Sequence, residues 1–151
     1  MKKVLIILAL VLIIALPLSA ANYAKPNGVG AGLTLGYPTG LTGRYGMDDF
    51  RFLGNFTWDY SNGFYFDVGV LYDITEVTIA NLPIYINAGV QTGIGIAETK
   101  FQFSVNAIIG ASYYFEDVPI ELFLNLAPGV AIMPSLGFSP KGGLGAIWYF
   151  D

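Results

Sequence analysis

Residues 50–73 read FRFLGNFTWDY, SNG and FYFDVGVLYD, and their alternation constrains the chain more than any other stretch of it. Phe50, Phe52, Phe56, Trp58 and Tyr60 fall on one side of the first run, with Arg51, Leu53, Asn55, Thr57 and Asp59 on the other. The second run divides in the same way. Phe64, Phe66, Val68, Val70 and Tyr72 oppose Tyr65, Asp67, Gly69, Leu71 and Asp73. Side chains on a strand change sides with period two, so each run is a long strand with one greasy face. Ser61-Asn62-Gly63 supplies the turn, because Asn and Gly tolerate positive φ. The solvent that meets the greasy face decides what kind of protein this is.

The same rhythm runs through the chain. It predicts strands over Gly28–Tyr37, Leu41–Met47, Phe50–Tyr60, Phe64–Asp73, Leu82–Gln91, Phe101–Phe115, Ile120–Ala127 and Lys141–Phe150. Residues 74–81, 92–100 and 128–140 read as connections. In Gly28–Tyr37 the second face is almost bare (Gly28, Gly30, Gly32, Thr34, Gly36), which suits an inner face crowded by large neighbours. Parity across the Asp48-Asp49 turn pairs Met47 with Phe50 and sets Arg44 near Leu53. If Tyr60 pairs with Phe64, Asp73 comes opposite Arg51. Parity across 116–119 sets Tyr114 beside Glu121.

The first residues stand apart. Lys2 and Lys3 precede an apolar run from Val4 to Leu16, Pro17 breaks it, and Ser19-Ala20-Ala21 offers a small-residue site. This is the pattern of a secretory signal peptide over 1–21, cut before Asn22, leaving one domain over 22–151. Without Lys2 and Lys3, five basic residues face eleven acidic ones, a formal charge of −6. That balance argues against nucleic acid as a partner. The chain has no Cys, so an exported fold here has no disulfides and no lipid-modified cysteine.

Apolar residues make up 54% of the chain and charged ones 12%, yet no run after the signal is long enough for a transmembrane helix. One strand face carries almost no charge. The other carries Gly, Asn, Thr, Ser and Gln together with Arg44, Arg51, Asp59, Asp67 and Glu121. A soluble barrel would bury the greasy face and expose a surface far poorer in charge than soluble surfaces are. A membrane barrel inverts the arrangement, apolar outside and polar within. Tyr37, Trp58, Tyr60, Tyr72, Tyr113 and Trp148 gather towards strand ends, as girdles at two membrane interfaces would. The expected fold class is all-β: an eight-stranded antiparallel up-and-down transmembrane β-barrel.

The segments GLTLGYPTGLTGRY, LPIYINAGVQTGIG, FSVNAIIGASYYFEDVPIELFLNLAPG and GGLGAIWYF together resemble a widespread family of small bacterial outer-membrane β-barrel proteins, in the OmpA- and OmpX-like class. The resemblance covers essentially the whole chain after the signal. It implies both termini in the periplasm, residence in the outer-membrane lipid, and a terminal aromatic read by the barrel-assembly machinery. Phe150 fills that position, with Asp151 after it.

Catalytic chemistry is sparsely provided. With no His and no Cys, hydrolytic triads and zinc sites lack their residues. No phosphate loop or dinucleotide fingerprint occurs, so no cofactor is expected. Asp48-Asp49 reads as a solvated turn rather than a calcium site. The candidate site is the inner charge set of Arg44, Arg51, Asp59, Asp67, Asp73 and Glu121. An eight-stranded barrel is only wide enough for side chains to fill it, and buried charges must pair. The expected role is therefore a salt-bridged plug in a non-catalytic structural or interaction protein. The alternatives are a small porin passing ions or water, and a soluble exported lipocalin-like barrel for a hydrophobic ligand.

Overall fold

The structure, a computed structural model, describes residues 25–59 and 63–150. The expected signal peptide and its cleavage site, Tyr60, the first two turn residues Ser61 and Asn62, and Asp151 lie outside the described residues. The elements are β1 (Gly28–Tyr37), β2 (Thr39–Met47), β3 (Phe50–Trp58), β4 (Phe64–Ile79), β5 (Leu82–Ala97), β6 (Lys100–Tyr114), β7 (Ile120–Ala127), β8 (Gly129–Met133), β9 (Gly137–Phe138) and β10 (Lys141–Phe150).

All pairings are antiparallel. Strands β1 to β7 each pair with the next, β7 pairs with β10, and β10 pairs back onto β1, so eight strands form a closed ring. The two short strands are continuations. Moving from Ile109 to Asn106 along β6 moves the partner from Leu126 to Gly129, so β7 and β8 are one strand interrupted at Pro128. In the same way Ala127↔Lys141 is followed by Val130↔Phe138, so β9 leads into β10 across Ser139-Pro140. Proline has no N–H to give to a ladder. The carbonyl of Pro128 still accepts from Ala107 N at 2.9 Å, and Ser139 N donates to Gly129 O at 2.9 Å.

The ring is staggered. A path across the ladders from Tyr113 passes Leu122, Ala146, Leu33, Leu41, Phe56, Phe66 and Ile94. It returns to β6 at Phe103, ten residues from its start. Such a stagger tilts strands from the ring axis by roughly 35–45°. Both described ends of the chain lie at one rim with the turns at 48–49, 80–81 and 115–119. The turns at 38, 59–63, 98–99 and 134–136 lie at the other.

Every residue on that path belongs to the greasy face, and that face points outward. Leu33 is 56% exposed, Phe66 50% and Leu124 51%, whereas Arg51 and Glu121 are 0% exposed inside. The interior also holds two apolar groups, Leu53, Leu71, Ile108 and Ala127, and Phe123, Ile147 and Tyr149.

Four expectations need correction. Residues 74–79 are not a connection but the end of β4, because Ile74 is an extra residue in a bulge between the pairs Asp73↔Asn87 and Thr75↔Ile86. The bulge inverts the parity and hides the strand from an alternation count. Residues 92–97 are strand rather than loop. Gly93 and Gly95 there take inward positions where a Cβ would meet Asp67 Oδ1 and the Tyr65 ring. Residues 128–140 hold β8 and β9 rather than an irregular loop. Finally, Trp58 rather than Tyr60 pairs with Phe64, which sets Leu71 rather than Asp73 across from Arg51. The turn is wider than expected, closed by Asp59 N donating to Gly63 O at 3.1 Å.

Candidate functional site: the polar interior

Three groups of polar side chains occupy the interior, two side by side in the half that carries the chain ends and one towards the other rim. At the rim that carries the chain ends, Arg51 Nη1 donates to the carbonyls of Asp48 (2.6 Å) and Phe50 (2.8 Å). Its Nη2 lies 3.8 Å from Asp73 Oδ2, so a diagonal contact replaces the expected facing pair. The guanidinium sits 5.2 Å from the Tyr114 ring centroid, and Tyr114 OH donates to Asp73 Oδ2 at 3.2 Å. Lys25, just before β1, reaches back into this group. Its Nζ is 2.5 Å from Asp49 Oδ1, 3.4 Å from Asp73 Oδ2 and 4.6 Å from the Tyr85 ring. The hydrogen bond and charge of Lys25 hold the Asp49 carboxyl below its usual range.

Beside it in the same half of the ring, a second group centres on Glu121, the second residue of β7, where the Tyr114↔Glu121 pairing places it inside. Arg44 Nη1 from β2 donates to Glu121 Oε1. Ser112 Oγ donates to the same oxygen at 2.7 Å, and Tyr149 OH donates to Oε2 at 2.7 Å. Asn87 Nδ2 donates to Ser112 Oγ at 3.0 Å. The Arg44 guanidinium stacks 4.1 Å from the Phe123 ring, and with its oxygen turned inward Asn125 accepts from Arg44 Nη2 at 3.1 Å. A carboxylate with two acceptor oxygens thus meets three donors, and its charge meets the opposite charge directly.

Towards the other rim, Lys141 at the start of β10 donates to Asp67 Oδ1 at 2.5 Å and Ser104 Oγ at 3.2 Å. Its ammonium lies 5.3 Å from the Tyr65 ring, whose hydroxyl donates to Asp59 Oδ2 at 3.0 Å. A Cβ on Gly93 would lie 3.0 Å from Lys141 Nζ and against Asp67, so only glycine leaves room for that pair. The Leu53, Leu71, Ile108 and Ala127 layer lies on the axis between the Lys141 group and the Glu121 group. A cavity of about 50 Å³ adjoins it.

All six expected charges therefore take inward positions, with Arg44, Arg51, Asp73 and Glu121 gathered in the half that carries the chain ends and Asp59 and Asp67 in the other. Arg44 meets Glu121 and Arg51 meets Asp73. Asp67 pairs with Lys141, and Asp59 with Tyr65. Sequence reasoning missed Lys25, Lys141, Tyr65, Tyr114 and Tyr149 as parts of the network. Parity carries the signal for the last four, since Lys141, Gly143, Gly145, Ile147 and Tyr149 share a face. For Lys25, which precedes any strand, no such signal exists.

Of the expected interface aromatics, Tyr37 and Trp58 are exposed at one rim, and Tyr72 and Trp148 at the other. Tyr113 is on the outward parity of β6 but only 8% exposed, its ring edge-on to Phe115 at 4.9 Å. Phe150 pairs with Val29 at the close of the ring and is exposed. Among the described residues, no group of three or more His, Cys, Asp or Glu is placed to hold a metal ion. No family model, curated protein or solved structure matches the chain.

Proposed function

We propose that the chain is an exported, non-catalytic outer-membrane β-barrel of the small OmpA- and OmpX-like class, an up-and-down structural or interaction barrel whose lumen is plugged. One observation carries the reading: the polarity of the ring is inverted. Large apolar side chains are about half exposed all round its outside while paired charges fill its inside. In water that arrangement would expose a continuous apolar band far larger than soluble monomers carry. In a bilayer it is the ordinary arrangement of a spanning barrel. Partners on this reading are outer-membrane lipid and, during biogenesis, the barrel-assembly machinery, with Phe150 as the terminal signal. The lipocalin-like alternative is disfavoured by the same polarity, because the greasy face it would need inside is outside. The porin alternative is disfavoured by the interior, where the cavity beside the apolar layer is about 50 Å³.

The test is fractionation followed by electrophysiology. The protein should appear in the outer-membrane fraction and migrate faster on gels unheated than boiled. Recovery as a freely soluble periplasmic protein would sink the membrane reading. Refolded into planar bilayers, it should show no steady conductance, and stable open channels would sink the plug.

A further inference from the structure

Strand β4 outruns its neighbour. β3 pairs with it only as far as Phe50↔Tyr72, with one further bond from Asp73 N to Asp49 O at 2.9 Å, whereas β4 and β5 continue to Ile79↔Leu82. The end of β4 therefore stands beyond the rim that carries the chain ends, with β5 on one side and no strand of the described residues on the other. All six residues from Ile74 to Ile79 are exposed. In a hairpin with a two-residue turn the closing pair exchanges both hydrogen bonds, and alternate residues point theirs away. Thr75, Val77 and Ile79 thus bond to β5 through Ile86, Ile84 and Leu82, and the N–H groups of Glu76 and Thr78 point to the open edge. The stretch reads ITEVTI, rich in β-branched residues. It has no Lys or Pro to blunt the edge, and its one charge is Glu76. We propose that residues 22–24, which immediately precede the described chain, add to this edge as a short antiparallel strand.

The course of the chain into β1 selects that occupant. Gly28 holds a φ of 93° and Pro26 has no N–H for a ladder, so the chain before β1 leaves the line of that strand. It crosses the mouth of the ring in the direction of β4. Asn27 Oδ1 accepts from Asp48 N at 2.9 Å at the end of β2, and a Cβ on Gly46 would lie 2.4 Å from Pro26 O. Lys25 lies one step further on. Its ammonium is 2.5 Å from Asp49 Oδ1, 3.4 Å from Asp73 Oδ2 and 4.6 Å from the ring of Tyr85, the residue that pairs with Glu76. Going back along the chain, residues 28 to 25 thus step from β1 past β2 and β3 to the root of the open edge. Pro26 biases Lys25 towards an extended backbone. Three more extended residues reach about 10 Å, enough to pass Glu76. Ala24, Tyr23 and Asn22 bring no Pro and no charge, and Tyr is a favoured strand residue. They run towards the root while β4 runs away from it, so the pairing is antiparallel. A second copy of the chain does not fit the same edge. The two-fold axis between antiparallel neighbours is perpendicular to their sheet and so to the ring axis, and the second ring would stand inverted in the bilayer. That exclusion alone rests on the proposed function, and the rest of the inference goes beyond it.

The test uses the protein as the cell processes it, folded in micelles, with the fold verified in the same sample by heat-modifiable gel mobility. Amide hydrogen exchange compares it with a variant lacking residues 22–24 and with Tyr23→Pro. Val77 N–H, bonded to β5, reports the hairpin itself and should exchange slowly in all three. Glu76 N–H should exchange about tenfold more slowly in the full protein than in either variant, the factor that one ordinary hydrogen bond supplies. That protection should not depend on protein concentration, and Tyr23→Val should retain it. Because the chain has no Cys, a disulfide can report the same contact. Glu76→Cys combined in turn with Ala24→Cys and Tyr23→Cys should give a cross-link within one chain, and Tyr23→Cys with Leu136→Cys, at the opposite rim, should give none. Fast exchange at Glu76 beside a slow Val77 in the full protein overturns the inference, as does equal protection in the truncated variant. Protection that rises with protein concentration overturns it too and assigns the edge to a second copy. Absence of the cross-link in both Glu76→Cys pairs overturns it even where the truncated variant does not fold. Because folding is read independently, an open edge leaves the barrel reading standing, and failure to enter the membrane fraction leaves the protection at Glu76 intact.

Discussion

Arg44 and Glu121 stand 77 residues apart in the chain and meet with almost no access to water, at 1% and 0% side-chain exposure. Removing one partner strands the other charge in the interior, so Arg44→Ala or Glu121→Ala should cost about 3–5 kcal/mol. Replacing both together by Met and Leu should recover most of that loss, because a packed apolar pair needs no compensation. Urea unfolding in lipid vesicles measures all three, and a double variant whose loss equals the sum of the two single losses would show that the two charges do not act as a pair. The Lys25–Asp49 contact calls for a different measurement, since it sits at the wet rim. The Asp49 carboxyl titrates below its usual value near 3.8 in the folded protein. Its stabilising contribution is therefore complete above about pH 3.8 and lost as pH falls through the lowered folded value. Asp49→Asn should flatten that part of the acid limb of stability while leaving the contact of Lys25 with Asp73 in place. An unaltered limb between the wild type and this variant would dismiss the contact. The six inner charges were legible in the sequence because parity alone places a residue inside or outside. Of their partners only Asp73 for Arg51 was, and through a register two residues off, because the other pairings depend on the stagger of the closed ring. Asp67 on β4 and Lys141 on β10 meet only once the sheet has curled shut.

At the scale of strands, legibility followed the regularity of the ladder. β1, β7 and β10 matched their expected limits residue for residue, each being an unbroken alternation bounded by Pro, Gly or a charged turn. β4 was truncated at Asp73 by the Ile74 bulge, and β5 at Gln91 by glycines that make room for Asp67 and Tyr65. Prolines 128 and 140 disguised the last hairpin as a loop, although the register runs through both. The two-residue turns have a separate energetic weakness. Glu98 and Thr99 hold φ of 49° and 67°, and Ala80 and Asn81 hold 50° and 66°. Such turns favour Asn and Gly, and a left-handed residue with a Cβ costs roughly 1–2 kcal/mol. Thr99 is β-branched and the least suited of the four. Thr99→Gly should therefore raise stability by about 1 kcal/mol without changing the register. The unfolding midpoint in urea reads the gain, and a variant less stable than wild type would show that the Thr99 side chain contributes something the turn geometry does not.

For the molecule as a whole, the decisive quantity is the solvent on the outside of the ring. Leu124 lies at the middle of β7, points outward and is 51% exposed. If that surface meets water, Leu124→Arg is an ordinary surface change, worth no more than about 0.5 kcal/mol in either direction. If it meets hydrocarbon, a guanidinium near the bilayer midplane costs about 2–4 kcal/mol and falls towards zero nearer the interfaces. The two solvents thus give outcomes differing severalfold for one substitution. Phe150, on the same face but at the rim, supplies the depth control, because Phe150→Arg should disturb equilibrium stability less than Leu124→Arg does. Stability is measured by reversible urea unfolding in large vesicles, so that loss of an assembly signal at Phe150 does not enter the comparison. A depth-dependent cost, large at Leu124 and small at Phe150, is expected of a ring that spans a bilayer. A negligible cost at both positions would mean that the apolar band does not face hydrocarbon, and the ring would then need another partner to cover it.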